Sequence, residues 1–348
     1  MDTLLDQVAQ HYEQQLPFVV FRKPHKNKVK AYLQEDVTPY ATADFQESGF
    51  VFAAFDGTSN YCIPARASQL LQAKFEASPV PLFSVNSSFD AASKVAFESL
   101  VSKAISSIQA GQFEKVVLSR KEVLLLPLVE LQALITRLFS LYPSAYCYAW
   151  FHPETGLWLG ASPEQLIKIE AHSIHTMALA GTQKFTENPS WGAKEQQEQQ
   201  VVTDYLLAQL QPFCVALKLK GPYTQQAGSL LHIKTEIRGQ LHAGFSLQNL
   251  LQHLHPTPAV CGMPKAAALQ FIGQEEGYNR EFYSGFMGEI QPNNQVDLFV
   301  NLRCMKLTNN QAHLYVGCGI TKDSQAELEF AETVHKSQTM KQVLAYTK

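Results

Sequence analysis

Val116, Val117 and Leu118 form a short, largely β-branched apolar run with Lys115 at its mouth and Arg120 just past it, the pattern of a buried strand with charged flanks. Patterns of this kind divide the whole chain. Residues 1 to about 90 read as short strands broken by polar turns, with 48–57 as the clearest. The Pro- and Ser-rich stretch 78–90 marks an internal boundary, so residues 1–88 form an N-terminal part and 89–348 the main region. Apolar residues at helical spacing over 89–112, stopped by Gly111, predict a helix that delivers the chain into the strand at Lys115. A second helix is expected over 128–143, then strands over 145–152 and 156–162 and a hairpin over 166–179. Residues 193–213 read as a long amphipathic helix and 229–241 as a strand. Helices follow over 246–256 and 264–279, then strands over 282–291, 296–307 and 312–320 and a closing helix from about 324 to 346. Hairpin-like neighbouring strands with helices inserted between sets predict an α+β fold rich in antiparallel sheet.

The chain has 348 residues, enough for two ordinary domains or one large one with a substantial core. Hydrophobic residues at 46% and charged ones at 17% suit a globular enzyme. A formal charge of -3 supplies neither a basic face for nucleic acid nor a polybasic membrane patch. No run approaches the roughly 18 apolar residues of a membrane span, and the polar, acidic first residues do not read as a secretory leader. Six scattered cysteines without a CxxC pair are expected to be reduced thiols, not a disulfide framework or zinc site. A cytoplasmic protein is the expectation.

Candidate chemistry begins on the closing helix. Glu329, Glu332 and Lys336 stand at i, i+3 and i+7, which puts them on one face. Glu195 and Glu198 repeat the three-residue spacing on the earlier helix. Such pairs are common on solvated helix faces, and on spacing alone that reading is favoured; they can also serve as oxygen ligands for a hard cation such as Mg²⁺, which engages one or two carboxylates and an anionic substrate. Gly317 and Gly319 end a strand that runs into a turn and helix, where bare backbone lets an anion approach N–H donors. There is no GxGxxG, so this is not a dinucleotide fingerprint. Arg303, inside the apolar run 296–307, needs an anion or an ion pair if it faces inward. Glu164, after a proline at the start of a strand, is either a turn carboxylate or a desolvated general acid.

In order along the chain stand KVVLSR at 115–120, GASPEQL at 160–166, LAGT at 179–182, Glu195-x-x-Glu198 followed by two valines, and HPTPAVCG at 255–262. After them come Glu276-x-x-x-Arg280-x-x-Tyr283-x-Gly285-x-x-Gly288, LRC at 302–304, and GCGI at 317–320 followed by Ser324 and Glu329-x-x-Glu332-Thr333. Together they resemble the chorismate-utilising enzymes: isochorismate, salicylate, anthranilate and aminodeoxychorismate synthases. The resemblance runs from about Phe89 to Lys336 and implies a shortened N-terminal part of the same fold. It implies Mg²⁺ held by Glu198 and Glu332 with Glu195 and Glu329 in support. It implies Lys115 as the base that activates water and Glu164 as the acid that protonates the departing hydroxyl. Arg303, Tyr283 and the amides near Gly317 and Gly319 would hold one substrate carboxylate, and Lys336 would approach the other. Gly181, Thr182, His232 and Ala259 would line the pocket. Ammonia-using relatives typically carry glutamine where Lys115 stands, and aminodeoxychorismate synthases often place lysine where Ala180 stands. Ala259 resembles isochorismate synthases more than salicylate synthases, the nearest rival. The substrate implied is chorismate, with no obligatory amidotransferase partner. One departure is Gln199, where relatives usually have histidine.

Overall fold

A strand that is apolar at every position must be covered on both faces. Phe18–Arg22 begins with four such residues. Phe18 and Val20 join one core, Val19 and Phe21 another, following the two-residue side-chain period. That alternation dictates the architecture. The computed structural model describes residues 1–83, 89–126, 130–227 and 230–345, with only the backbone described at 182, 194, 227 and 230. It contains two nine-stranded sheets, every pairing antiparallel.

The first sheet runs, edge to edge, through Gly262–Met263, Lys115–Leu125, Gln311–Ile320, Cys304–Thr308, Gly156–Ser162, Tyr146–His152, Phe18–Arg22, Lys28–Gln34 and Ser68–Lys74. The second runs through Cys214–Ala227, Leu230–Leu241, Ser173–Lys184, Gln165–Glu170, Gln295–Val300, Phe286–Gln291, Gly49–Ala53, Asn60–Pro64 and Tyr40–Ala41. Between them lies an aromatic core, where Phe52 stacks on Trp150 and Phe282, and Trp158 on Tyr315. Helices cover the outer faces. α1 (Asp2–Glu13), α3 (Leu131–Leu141) and the end of α7 (Ala326–Leu344) pack on the first sheet, with α2 (Ala91–Gln109) and α6 (Lys265–Glu275) over its Lys115 end. α4 (Ala193–Leu210) and α5 (Leu247–Leu254) pack on the second.

The α+β reading holds, and four of its details change. α1 was expected as strand, yet Leu4, Leu5 and Val8 share one helical stripe and are buried. The 14-residue strand Cys214–Ala227 had no counterpart in the sequence reading. As a sheet edge it leaves Val215 and Leu219 exposed, so alternation between core and solvent is weak there. The strand expected from 282 begins only at Phe286, because 282–285 are turns. The run 296–307 is two strands, Gln295–Val300 in the second sheet and Cys304–Thr308 in the first. Residues 301–303 carry the chain from one sheet to the other. The 78–90 boundary lies partly outside the described residues.

Candidate active site

The crossing at 301–303 is pinned by Asn301. Its side chain accepts from the Tyr148 hydroxyl at 2.7 Å and donates to the Phe282 carbonyl at 2.9 Å. Two residues on, Arg303 takes φ +48°, in the left-handed region that costs a side-chain-bearing residue energy. Arg303 is therefore a residue of the crossing, not of a strand interior. Its guanidinium reaches Thr339 at 3.4 Å, and burial lowers its pKa against the opposing pull of Tyr283 and Glu332.

Cys304 pairs with Tyr315, and there the short strand stops, while the strand Gln311–Ile320 continues to Ile320. Residues 316–320 keep the strand Lys115–Leu125 on one side and have no strand on the other. Ser119 sends its N–H to Glu276 and Val117 its N–H to Cys261, so the backbone groups of their partners Gly317 and Gly319 face the open side. The gap is the floor of a cleft enclosing about 970 Å³ of non-atom space, open solvent included. Glycine is required at 317, where a Cβ would strike backbone, while at 319 a Cβ would displace the Glu198 carboxylate. A Cβ on Gly317 would lie 2.5 Å from the Leu118 carbonyl oxygen, and one on Gly319 would lie 2.6 Å from a Glu198 oxygen.

Four glutamates line the same cleft from two helices. Glu195 and Glu198 come from the N-terminal half of α4 and Glu329 and Glu332 from that of α7, with Glu195 and Glu329 in the first turns, where the helix dipole favours carboxylates. Glu198 accepts from Lys115 Nζ at 2.7 Å, and Glu332 from Lys336 Nζ at 2.6 Å. Lys336 also donates to the Gly317 carbonyl at 2.9 Å. Among the described residues no three His, Cys, Asp or Glu side chains converge as a ready-made cation cage.

Opposite stands Glu164, 6% exposed, between Ser162 and the strand Gln165–Glu170. Burial pushes its carboxyl up to about 7, against the downward pull of Lys115 and Lys336. On the same side, Gly181 takes φ +66° at a bulge in the strand Ser173–Lys184, which turns its carbonyl to His232 Nδ1 at 3.0 Å. A carbonyl only accepts, so Nδ1 carries the proton and Nε2 is an acceptor. Burial lowers the His232 pKa to about 4, and the ring is neutral at physiological pH.

The structure thus brings Glu164, Gly181, Glu195, Glu198, His232, Ala259, Tyr283, Arg303, Gly317, Gly319, Glu329, Glu332 and Lys336 to one cleft. Lys115 lies immediately behind, through Glu198 and Gly319. The side chain of Thr182 lies outside the described residues. Gln199 turns away from the cleft and donates to Thr203 at 2.9 Å and Thr235 at 2.6 Å, a structural contact between α4 and the sheet. The ion pair of Lys115 was not foreseen, nor were Val117, Leu302 and Tyr315 as lining residues. The last three carry no signal in a sequence, being apolar or aromatic residues of strands and crossings. Arg120, expected past the strand's end, lies within it and donates to Thr333 at 2.8 Å, seating α7 beside its glutamates.

The chorismate binding enzyme family matches residues 60–345. The chain belongs to that family. It is 35% identical over 260 residues to the salicylate biosynthesis isochorismate synthase of Pseudomonas aeruginosa, covering 72% of this chain and 54% of that protein. It is 29% identical over 256 residues to isochorismate synthase EntC of Escherichia coli K12, covering 70% and 66%. The chain spans between about half and two thirds of the length of the curated relatives it matches. In fold it follows MenF, the menaquinone-specific isochorismate synthase from Escherichia coli, with TM-score 0.79, 23% identity, and coverage of 95% of this chain and 89% of that one.

Proposed function

We propose that this chorismate-binding enzyme is a Mg²⁺-dependent isochorismate synthase, adding water at C2 of chorismate with loss of the C4 hydroxyl. The observation that carries the reading is Glu164. A carboxyl that burial holds near 7 keeps a proton for a leaving hydroxyl, and it shares the cleft with a lysine-and-glutamate wall. Relatives named isochorismate synthases support the choice within the family.

The donor set fits Mg²⁺. The described cleft side chains, with Lys115, comprise five carboxyls (Glu164, Glu195, Glu198, Glu329, Glu332) against three cations (Lys115, Arg303, Lys336). A dicarboxylate entering such a site needs an added cation, and carboxylate oxygens are the ligands Mg²⁺ prefers. Glu198 and Glu332 would hold it, with Glu195 and Glu329 in direct or water-mediated support. When bound, the ion supplies a Lewis-acid grip on the ring carboxylate.

The remaining roles belong to the chain's own groups. Arg303, Tyr283 and the backbone facing the gap at Gly317 hold the enolpyruvyl carboxylate, and Lys336 meets the ring carboxylate. Lys115, as the free amine, takes a proton from the attacking water, with Glu198 2.7 Å away. Glu164 gives its proton to the C4 hydroxyl, which departs as water, so one water enters and one leaves. His232 Nε2 accepts a hydrogen bond from a substrate hydroxyl, and Gly181 and Ala259 leave the ring its space.

The test is incubation of the purified protein with chorismate, with and without Mg²⁺, followed by product chromatography. Isochorismate formed only with Mg²⁺ is expected. Salicylate with pyruvate would move the chain to the lyase branch, and no consumption of chorismate would overturn the reading.

A further inference from the structure

The strand that carries Lys115 loses its outer neighbour early. Gly262–Met263 pairs only with Lys115 and Val116, and a last backbone bond joins Val117 N–H to the Cys261 carbonyl at 2.6 Å. Beyond that, the strand's edge presents the Val117 carbonyl and then the Ser119 N–H. Side chains continue the ladder. Arg280 Nη2 donates to Val117 O at 2.7 Å, and Glu276 accepts from Ser119 N at 2.7 Å. Arg280 and Glu276 bond each other through Nε at 2.8 Å and through Nη2. The pair stands where an adjacent strand would offer one donor and one acceptor.

The same residue reaches two further walls, one through its guanidinium and one through its main chain. Arg280 Nη1 donates to the Val260 carbonyl at 3.0 Å, in the loop with Ala259. The Arg280 carbonyl accepts from Tyr283 N at 2.9 Å, which sets the turn that points Tyr283 at the cleft. Its remaining face lies over the Phe55 ring at 4.4 Å, so the fork cannot rotate away. The buried side chain therefore ties the Lys115 strand and the Ala259 loop to the Tyr283 turn, of which the Arg280 main chain is part.

We propose that Arg280, with Glu276 as its counter-ion, is a positioning residue that holds three walls of the cleft in mutual register. This rests on the isochorismate synthase reading, because the register matters for the distance between Lys115 and the held ring. Stability alone does not account for the pair. Buried ion pairs are often replaceable by apolar residues of similar volume without loss of stability, whereas a planar fork is needed to meet three acceptors at fixed angles. A displacement of about 1 Å at a reacting group can cost on the order of 10²-fold in rate.

The test is the double variant Glu276→Leu/Arg280→Met, which removes both charges together, beside Arg280→Lys, which keeps the charge and loses the fork. Thermal unfolding of the double variant should remain a single cooperative transition, lowered by the loss of partners for the Val117 carbonyl, the Ser119 N–H and the Val260 carbonyl. Its kcat on chorismate should fall about 10²-fold with a smaller change in KM, and Arg280→Lys should fail to restore it. Amide hydrogen exchange, read without substrate, should accelerate at Val117, Ser119, Val260 and Cys261 and not in the strands Phe18–Arg22 or Tyr146–His152. Parent-like kcat in the double variant, or unchanged exchange at those four amides, would overturn the proposal. Absence of chorismate turnover in the parent would instead overturn the functional reading, and the exchange pattern would still decide the clamp.

Discussion

Two clusters of buried charge join the same two sheets, and they resolve burial in opposite ways. In the first, Lys23 pairs with Asp297 at 2.6 Å and Glu289 at 3.0 Å, Lys30 pairs with Glu289 at 2.7 Å, and the Tyr32 hydroxyl donates to Glu289 at 3.2 Å. Two cations meet two carboxylates. Burial raises the Glu289 pKa, but the two lysines overcome it and hold the carboxyl below its ordinary value. In the second, the cleft, Glu164 is just as buried, yet Lys115 and Lys336 only soften the effect of burial and its carboxyl rises to about 7. A cluster whose charges match is a joint. One whose charges are left unmatched is prepared for something that arrives.

The sharpest way to break this distinction is to remove one carboxylate from each cluster. Glu198→Gln or Glu332→Gln should lower turnover by more than the roughly 10–100-fold that loss of an outer partner of a metal ligand costs, with circular dichroism unchanged. Glu289→Ala should do the reverse. It strands Lys30 and leaves Lys23 only Asp297, so chemical denaturation should show about 3 kcal/mol of lost stability while kcat stays near the parent value. If Glu289→Ala silences the enzyme without destabilising it, the two clusters are not different in kind.

Lys115→Gln tests the cleft more finely. Turnover should fall roughly 10²–10⁴-fold, while chorismate binding measured by calorimetry changes little, because the anchoring groups remain. Arg303→Ala should show the complementary pattern, with binding weakened by roughly 2–5 kcal/mol. Unchanged binding in Arg303→Ala would make that residue a structural part of the crossing.

The smallest effect is in pH. Glu164 has a folded pKa above its unfolded one, so its contribution to stability is present below about 4.5 and lost as pH rises through about 7. Glu289 has a lowered one, so its contribution is present above 4.5 and lost as pH falls. Relative to the parent, Glu164→Gln should gain melting temperature between pH 5 and 8, and Glu289→Gln should lose most of its deficit in acid. Parallel pH profiles for the two variants would contradict the contrast.

Much of this was legible in the chain because it rests on local spacing. Glutamates three apart on a helix must share a face, and a glycine pair at a strand end must expose backbone. The antiparallel sheets followed from the hairpin-like recurrence of strands. What escaped the reading depends on partners far along the chain. VDLFVNLRCMKL reads as one strand because nothing in it shows that its halves join different sheets. The ion pair of Lys115 depends on α4, and the Arg280 contacts depend on strand edges that only the fold brings together. The edge strand Cys214–Ala227 escaped because a strand with little to cover carries little pattern.

The interleaving of the sheets also bears on how the chain is made. Phe18–Arg22 finds one neighbour in Lys28–Gln34 but the other only in Tyr146–His152, and Gly49–Ala53 waits for Phe286–Gln291. At roughly 5–20 residues per second, the second of these waits lasts on the order of ten seconds or more at the ribosome. Throughout it, apolar strands with open edges stand in the cell without their partners, a condition that invites chaperones and penalises crowded expression. Arg303, Gly317 and Lys336 emerge later still. A ribosome that stalls before them leaves a nascent chain holding most of its strands but neither the glycine floor nor the α7 wall of the cleft.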